Sequence, residues 1–506
     1  MMQLKLRQKT ISYRTLSWLC VAVLLLSLTP LYAISFYNHA CYDDYGYTIE
    51  NHKVWQETGS LGEVLKGAAD FTVGAHETWD ANYTAAFINT MQPSLFGSDM
   101  YWISTVVLLT FFLASIWFFL RQVLVKTLHA DRTTFWMAFS ALAFVMIQFI
   151  PDVSEAFFWF NGGVAYTLSW SFVLLRIGTW IGFENCKKKH TKVLVYLLML
   201  LLTVAVGGIK YTPLLLALLG DACLLLYAFA KKRPARWLEL ALSLLLVGLF
   251  IFTATSPANV VRSATLSEGL SAPMAILQSF FFGIALMGNW FSLPLVVVWA
   301  MVAWQIAEAL HGSPKRFNHP IWITILCLCL FCAQLTPTLY TGNYIGDGRA
   351  QNTYFYTFVL MGCALSVYWA GWILRRTEGK TVFPAIGTAK KDGLRIGAFV
   401  VAMVLLIVGC VAYHPEGTEG YGPQNMASGS ALMSLLTGEA QRYDEQMDER
   451  EAILSDPDQT EVEISPLEEI PAVFMGDDLN SNVVDYVLHL YGEYFDKESV
   501  RIAEEE

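Results

Sequence analysis

Long apolar runs, repeated along most of the chain, constrain the fold of this sequence more than any other feature. A run of about 20 apolar residues is long enough to span a bilayer as a helix. Only 15% of the 506 residues are charged and 55% are hydrophobic, whereas about 25% of the residues in a soluble domain are charged. The sequence therefore predicts an all-α polytopic membrane protein with eleven transmembrane helices. The runs lie near 15–36, 101–120, 133–150, 164–183, 191–208, 211–230, 237–254, 289–310, 319–340, 354–374 and 395–413.

The basic residues are distributed unevenly between the connections that join these runs, and their positions predict the orientation of the chain. Lysines and arginines collect in every second connection, as they do in the cytoplasmic loops of membrane proteins. With eleven spans, 23 of the 33 basic residues lie on one side. The stretch 273–310 is too long for one helix, and 273–287 is assigned to an interfacial or re-entrant segment. We expect a plasma-membrane protein with a cytoplasmic amino terminus and an extracytoplasmic carboxyl terminus.

The carboxyl-terminal segment, residues 414–506, differs in composition from the rest of the chain. It holds 23 of the 43 acidic residues and 4 of the 33 basic residues. Charged helices are predicted at 440–454 and 483–495, within a small α/β or α-rich unit. The predicted organisation is a transmembrane domain over 1–413, whose first extracytoplasmic loop spans 37–100, followed by an acidic extracytoplasmic domain. No nucleic acid is expected as a partner.

The first extracytoplasmic loop carries its own helix signals. Ser60 stands three residues before Glu63, in the pattern of a capping box at the start of a helix. Gly59 is typical of a residue that ends a preceding helix. The loop is therefore predicted to contain one helix over about 47–58 and a second helix that begins after Ser60.

The stretch 41–47, Cys-Tyr-Asp-Asp-Tyr-Gly-Tyr, follows the first apolar run directly and carries the first candidate for catalysis. An enzyme that transfers a sugar needs a carboxylate to remove a proton from the acceptor hydroxyl, or to hold a metal near the leaving phosphate. Asp43 and Asp44 are placed where they can meet a lipid-borne donor at the membrane surface. Tyr45 and its neighbouring tyrosines offer flat faces and hydroxyls to a sugar. The alternative is a solvated acidic loop.

Two further groups of ionisable residues have both a structural and a functional interpretation. His76, Glu77 and Asp80 are spaced to share a helical turn and to bind a metal, although a polar surface is the more ordinary interpretation. Arg176 and Asp221 fall in the middle of the fourth and sixth runs, where charges are costly and usually paired. An ion path through them would favour a transporter, and a structural ion pair is the preferred interpretation.

Several short motifs follow one another on the predicted extracytoplasmic side. They are Trp-Asp-Ala-Asn-Tyr at 79–83, Pro-Ser-Leu-Phe-Gly at 93–97, Glu-Ala-Phe-Phe-Trp-Phe-Asn-Gly-Gly at 155–163 and Ser-Pro-Ala-Asn-Val-Val-Arg at 256–262. In order and sidedness, the acidic pair and these motifs together resemble the GT-C superfamily of integral-membrane glycosyltransferases. More closely, they resemble a branch of bacterial polytopic proteins grouped with that superfamily. The resemblance covers residues 1 to about 413.

The resemblance implies an activity, a substrate class and a catalytic carboxylate. A sugar, for example a hexose, would pass from a polyprenyl-phosphate-linked donor to a cell-envelope glycan or glycolipid acceptor. The reaction would be an inverting displacement on the extracytoplasmic face, in contact with membrane lipid. The catalytic acid of the family maps to Asp43 or Asp44. The need for a metal stays open, a divalent cation included.

The chain departs from the family pattern at one place, which bears on phosphate binding. Ala81-Asn82 stands where related proteins have a Gly-Arg pair, so another base must replace that arginine if it serves a phosphate. The expected replacements lie beside turn-forming residues, where a basic group is well placed to bind phosphate oxygens; they are Arg262, Lys210 and Arg349. The residues expected to line the sugar or acceptor position are Tyr45, Trp159, Asn161 and Glu155.

Two other classes of protein compete with the glycosyltransferase interpretation. One is a polytopic transporter or flippase of lipid-linked sugars, and the other is a non-catalytic scaffold for envelope assembly that displays the acidic tail. Transporters often show repeated halves and broken helices at the midplane. The sequence shows neither feature, and a first extracytoplasmic loop as long as 37–100 is unusual for a transporter.

Overall fold

The fold is almost entirely helical and is seen in a computed structural model that describes residues 13–264, 268–309, 317–376, 388–409 and 422–503. The predicted domain boundary at residue 413 lies outside the described residues. So do several basic residues used to predict orientation, namely Lys5, Arg7, Lys9, Lys315, Arg316 and Lys380.

The helices of the amino-terminal half include both long apolar helices and short surface ones. They are α1 (Tyr13–Ile34), α2 (Asp43–Thr58), α3 (Leu61–Thr78), α4 (Tyr83–Asn89), α5 (Trp102–Leu120), α6 (Arg132–Gln148), α7 (Phe160–Gly162), α8 (Ser169–Asn185), α9 (Lys189–Gly207), α10 (Tyr211–Ala230) and α11 (Arg236–Ala254). Turns of π-helix flank α5 and α7, at Arg121–Thr127, Ser154–Phe158 and Gly163–Leu168.

The carboxyl-terminal half continues the bundle and then leaves it. Its helices are α12 (Pro257–Ser263), α13 (Ala272–Trp290), α14 (Leu293–Ala309), α15 (Pro320–Ala333), α16 (Thr336–Gly342), α17 (Gly348–Arg376), α18 (Thr388–Ile407), α19 (Ala427–Thr437), α20 (Glu439–Ser455) and α21 (Val484–Tyr494). Two parallel strands, β1 (Glu461–Ile464) and β2 (Ser499–Ile502), pair with Val462 opposite Val500.

Nine helical stretches in the described part of the chain are long and apolar enough to cross a membrane. Three further apolar helical segments, at Leu293–Ala307, Ile396–Ile407 and Ala427–Thr437, are shorter. The 17-residue α6 is buried along almost its whole length. These lengths and compositions confirm the predicted all-α polytopic class. The nine stretches are Arg14–Tyr37, Ser98–Thr127, Phe160–Asn185, Lys189–Gly207, Tyr211–Ala230, Arg236–Ala254, Ala272–Trp290, Pro320–Gly342 and Gly348–Arg376.

Hydrogen bonds between neighbouring helices fix their relative directions. The Ser17 hydroxyl donates to the Thr133 carbonyl at 3.1 Å, so α1 and α6 start at the same end of the bundle. Tyr32, near the end of α1, bonds to Thr110 at 2.9 Å in the first half of α5. Helices α1 and α5 therefore run antiparallel, as two consecutive spans joined by the first loop must.

Helix α13 covers the stretch that was predicted to be interfacial or re-entrant. The backbone N–H of Leu270, just before α13, donates to the Leu339 carbonyl in α16 at 3.1 Å. At the other end of α13, Trp290 packs against Phe355 and Phe358. Both phenylalanines lie in the first half of α17. Helix α13 thus has the length of a span, and its carboxyl end lies beside Phe331 and Phe358, deeper in the bundle than its first residues.

Residues 422–503, hereafter the C-terminal module, pack against the first loop and the bundle. The predicted helices at 440–454 and 483–495 are confirmed as α20 and α21. The Ser428 N–H donates to the Gln148 side chain at 2.9 Å, and His39 bonds to Asp444 at 2.8 Å. Inside the module, Arg450 pairs with two buried aspartates. The module therefore shares its core with the segment that follows α1.

The predicted helix signals of the first loop are confirmed. Helix α2 ends at Thr58, and Gly59 follows with a φ of 58°, the left-handed conformation that glycine adopts easily. The Ser60 side chain accepts a hydrogen bond from the Glu63 N–H at 3.4 Å and starts α3. The segment 151–163 connects two apolar runs on the predicted extracytoplasmic side, and it is more than a simple loop: Phe157 and Phe158 are buried, because its run of aromatic side chains packs into the core.

Candidate functional site

Asp43 is the first residue of α2 and is held there by an unusual backbone conformation. Tyr42, immediately before it, has a φ of 51° and a ψ of −129°, which a non-glycine residue adopts only at a cost of about 1–3 kcal/mol. The Tyr42 hydroxyl donates to the carbonyls of Gly476 and Asp477, each at 3.2 Å. The C-terminal module thus anchors the turn that orients the Asp43 carboxylate.

The Asp43 carboxylate is partly buried and lies within reach of three positive charges. Burial raises the pKa of Asp43 above its ordinary value. The cations that oppose this shift are Arg349, Arg262 and Lys210. Tyr486 in α21 donates a hydrogen bond to the same carboxylate. None of the ion pairs between described residues includes Asp43.

Lys210 is supported by Asp80, a residue that the sequence suggested only as one of three metal ligands. The Lys210 ammonium lies 2.9 Å from Asp80 Oδ2, and the Tyr47 hydroxyl donates to the same oxygen at 3.3 Å. Burial opposes the ionisation of Asp80, but the charges of Lys210 and Arg262 outweigh it and hold the pKa of Asp80 below its ordinary value. Asp80 therefore fixes Lys210 in the cluster.

Arg349, at the start of α17, pairs with Glu155, and its charge also acts on Asp43. Its guanidinium lies 3.0 Å from Glu155 Oε1, and its backbone N–H donates to Glu155 Oε2 at 2.5 Å. The guanidinium also lies over the Trp159 ring, 5.1 Å from the ring centroid. Burial raises the pKa of Glu155 to about 7 in spite of the arginine. Glu155 can therefore bind or release a proton near neutral pH.

Arg262 lies on the short helix α12 and is another of the positive charges that act on Asp43. Its guanidinium lies over the Trp79 ring, 5.5 Å from the centroid. Ser256 caps α12 and its hydroxyl also donates to the His76 carbonyl. Because Trp79 and His76 lie at the end of α3, these contacts bind α12 to the first loop and place Arg262 beside Asp43.

The two adjacent aspartates have different environments. Asp44 is fully buried, and its carboxylate accepts hydrogen bonds from the Tyr101 hydroxyl, the Asn161 N–H at 3.3 Å and the Cys41 N–H at 3.4 Å. Burial raises the pKa of Asp44 to about 7. With its oxygens directed at protein donors, Asp44 connects α2 to α5 and α7. Of the predicted pair, Asp43 is the carboxylate that faces the cations.

Tyr45, which was predicted to line the sugar position, packs between α2 and the C-terminal module. Its ring centroid lies 5.0 Å from those of both Tyr491 and Tyr494. Tyr45 is buried among these rings. The structure therefore gives Tyr45 a packing role. Tyr47, which follows in the same helix, is the tyrosine that contacts the charged cluster, through Asp80.

Two side chains predicted to line the sugar position carry polar atoms without a partner among the described residues. These atoms are Nε1 of Trp159 and both amide atoms of Asn161. Both residues are buried, with relative exposures of 6% and 5%. A buried polar group without a hydrogen bond costs about 1–3 kcal/mol. Groups of this kind next to a charge cluster are suited to bind the hydroxyls of a ligand.

The metal site considered for His76, Glu77 and Asp80 does not form. Asp80 is paired with Lys210, and the His76 ring stacks on Phe252 with centroids 4.3 Å apart. In the described part of the chain, one group of three potential ligands converges, with ligand atoms within 4.8 Å of one another, and it consists of His39, Asp444 and Asp448. That group lies where the C-terminal module meets the segment after α1.

Sequence reasoning missed the contribution of the C-terminal module to the site. Tyr486 bonds to Asp43, although 443 positions separate them along the chain. Val483–Phe495 was identified only as a helix, and no local pattern distinguishes Tyr486 from other exposed tyrosines. Asp80 had a stronger signal, because it lies in the Trp-Asp-Ala-Asn-Tyr motif that was noted in the first loop.

The site residues therefore come from seven separate parts of the chain: α2, the end of α3, the segment 155–161, the turn before α10, α12, the start of α17 and α21. Searches with this chain against models of known protein families, curated proteins and solved structures find no match.

Proposed function

We propose that this protein is a membrane glycosyltransferase that moves a sugar from a polyprenyl-phosphate-linked donor to a cell-envelope acceptor. The observation that carries the proposal is the arrangement of Asp43 opposite Arg349, Arg262 and Lys210. A carboxylate that lies near several cations, outside the ion pairs of the described residues, suits ligands that carry a hydroxyl to be deprotonated and an anionic group. The acceptor carries the hydroxyl, and a lipid-linked sugar phosphate carries the anionic group.

The proposed reaction assigns one role to Asp43 and another to the cations. Asp43 removes the proton of the acceptor hydroxyl, whose oxygen forms a bond to the anomeric carbon. The bond from that carbon to the donor phosphate oxygen breaks, and its electron pair stays on the phosphate. Fixed positive groups stabilise the negative charge that develops on the phosphate in the transition state. A pKa raised by burial makes Asp43 a better base than an exposed aspartate.

The sugar position would lie beside Trp159 and Asn161. The indole N–H and the amide of these residues have no hydrogen-bond partner among the described residues, so sugar hydroxyls can supply the missing bonds. The Trp159 ring also offers a flat face to the apolar side of a sugar ring. Glu155, paired with Arg349, would hold that arginine against the donor phosphate.

We further propose that the site faces the extracytoplasmic side, with eleven spans and a cytoplasmic amino terminus. Helix α13 is counted together with α14 as one interrupted span, because α13 ends and α14 begins beside Phe358, within the length of α17. A phosphatase reporter that is active only outside the cytoplasm, fused after Ile502, should be active. Activity of a cytoplasm-only reporter at the same position would contradict the proposed topology.

The direct test of the function is Asp43→Asn in the organism that makes the protein and in proteoliposomes. Loss of a general base lowers rates by about 10²–10⁴-fold, so a sugar should disappear from the envelope polymers while the protein level stays unchanged. Asp485→Asn, which changes an exposed carboxylate on α21, is the matched control. Unchanged envelope sugars in the Asp43→Asn strain would refute the proposal.

A further inference from the structure

A polar cavity of about 670 Å³ separates the C-terminal module from the transmembrane bundle. One wall is formed by the end of α6, the segment 152–155 and the start of α17. The other is formed by 470–476 and by the residues around α19. Its volume lies within the range of about 300–1,000 Å³ that is usual for small-molecule sites.

The cavity is next to the Asp43 site and shares residues with it. Glu155, which pairs with Arg349, lines the cavity. Gly476 also lines it, and the Gly476 carbonyl accepts the hydrogen bond of Tyr42, the residue directly before Asp43. The cavity wall is therefore connected to the proposed base by two routes, through Gly476 and Tyr42 and through Glu155 and Arg349.

The chemistry of the walls selects against anions. The described residues that line the cavity include no lysine, arginine or histidine. Its carboxylates are engaged by the protein: Arg349 pairs with Glu155 and with Asp347, at 3.0 and 2.6 Å. Asp152 accepts the Ser154 hydroxyl at 2.7 Å. What remains is a surface of amides, hydroxyls and apolar side chains from 470–475, which suits an uncharged, hydroxyl-rich ligand.

One buried amide in the cavity wall lacks a partner that such a ligand would supply. Gln148 is fully buried and lines the cavity. Its Oε1 accepts the Ser428 N–H at 2.9 Å, which fixes the orientation of the amide. Its Nε2 has no hydrogen-bond partner among the described residues. A donor that is buried, oriented and unpaired at a cavity wall is suited to a hydroxyl oxygen of a bound molecule.

We propose that this cavity binds a neutral carbohydrate chain, the acceptor of the transfer reaction, and that the C-terminal module selects it. The claim that the cavity binds carbohydrate rests on the cavity alone. The claim that this carbohydrate is the acceptor also rests on the proposed function. The acceptor would enter between 470–476 and the start of α17, and its reactive hydroxyl would pass Glu155 to reach Asp43.

The test measures protection of a single cysteine placed in the cavity. Ser430→Cys, at the α19 wall, is labelled with a water-soluble maleimide in the full-length protein, and the wild-type chain gives the background from its native cysteines. The probes are neutral oligosaccharides released from the envelope polysaccharide of the same organism, the anionic fraction of that release, and inorganic phosphate. Only the neutral fraction should protect, with labelling slowed about tenfold at ten times the half-protecting concentration.

A second variant tests the assigned hydrogen bond. Gln148→Leu should raise the half-protecting concentration about fivefold, the loss expected for one hydrogen bond. Gln56→Leu, an exposed glutamine on α2, should leave it unchanged. Equal protection by inorganic phosphate, or no protection by neutral oligosaccharides, would overturn the inference.

The two proposals fail in different ways. Asp43→Asn removes the base and should keep full protection of Ser430→Cys. Protection without any transfer in the wild type would refute the glycosyltransferase and leave a carbohydrate site. Transfer that depends on Asp43 without protection would support the enzyme and refute the cavity as its acceptor site.

Discussion

Two charged clusters of this protein differ in whether their opposite charges form an ion pair. In the helix bundle, Arg176 pairs with Asp221 at 2.5 and 2.7 Å. Thr203 accepts a further hydrogen bond from the arginine, and Ser243 donates to the aspartate at 2.8 Å. The predicted pairing of the two residues is thus confirmed, and further hydrogen bonds from both partners hold it in place.

In the second cluster, which lies where α1 ends and α5 begins, the opposite charges in the described part of the chain do not form an ion pair with Asp43. Asp43 lies near three cations but outside the ion pairs of the described residues, and neighbouring amide and indole groups lack partners. A buried charge that is paired is explained by the protein itself. A charge near several opposite charges, beside unsatisfied polar groups, suits the ligand proposed above, which would bind between them.

The largest effect is expected from breaking the ion pair between Arg176 and Asp221. Arg176→Met leaves Asp221 buried without its partner and should destabilise the protein by about 3–5 kcal/mol. The double variant Arg176→Met/Asp221→Leu removes both charges and should recover most of that loss. Thermal unfolding in detergent, followed by tryptophan fluorescence, measures both. An ion path rather than a structural pair would be indicated if the single variant kept wild-type stability.

A substitution in the cluster around Asp43 should lower activity more than it lowers stability. Arg262→Ala removes a cation that faces the proposed donor phosphate, and the loss of one such group lowers turnover by about 10²–10³-fold. Its melting temperature should fall much less than that of Arg176→Met, because Arg262 is only half-buried. Lys53→Ala, an exposed base on α2, is the control for charge alone. A melting temperature that falls with activity would assign Arg262 to the structure.

Asp44, beside the Asp43 cluster, predicts how the stability of the protein depends on pH. Its ordinary pKa is 3.8, and burial raises it to about 7 in the folded protein. The folded state therefore binds more protons than the unfolded state between about pH 4 and 7, and stability falls as the pH rises through that window. Asp44→Asn cannot titrate, so its melting temperature should fall less between pH 4.5 and 7.5. An identical fall in both proteins would show that Asp44 is not the group responsible.

The smallest effect is expected at the cytoplasmic ends predicted for α8 and α10, where Arg233 pairs with Glu184. The side chains are 33% and 21% exposed. Partly exposed pairs contribute about 0–1 kcal/mol, so Arg233→Gln should shift the melting temperature only slightly and leave transfer unchanged. A loss as large as that of Arg176→Met would mean that exposure is a poor guide to the role of ion pairs in this bundle.

Hydrophobic periodicity and capping residues were sufficient to predict most of the fold. The apolar runs became the long helices, Gly59 and Ser60 marked the junction of α2 and α3, and the charge-rich stretches of the tail became α20 and α21. Prediction was weakest where local composition conflicts with tertiary packing. The segment 151–163 contains polar and turn-forming residues, yet its aromatic side chains are buried in the core.

The sequence predicted the charged residues of the candidate site but missed most of the residues that hold them in place. Arg262, Lys210 and Arg349 stood out because few bases lie on the predicted extracytoplasmic side. The choice between Asp43 and Asp44 depended on Tyr101 and Asn161, which lie far away in sequence. Tyr486 and Gln148 were missed for the same reason, since neither the bond to Asp43 nor the cavity has a local signature.

The anchoring of Tyr42 has a consequence for the order in which the protein assembles. Its hydrogen bond to Asp477 spans 435 positions, and that between Tyr494 and His52 spans 442. Asp43 is among the first residues to emerge during synthesis, and the segment that orients it is made hundreds of residues later. A partly synthesised chain would hold the membrane helices but not the oriented carboxylate. The proposed chemistry would begin only when the tail has docked, so that incomplete chains in the membrane would not act on scarce lipid-linked sugar.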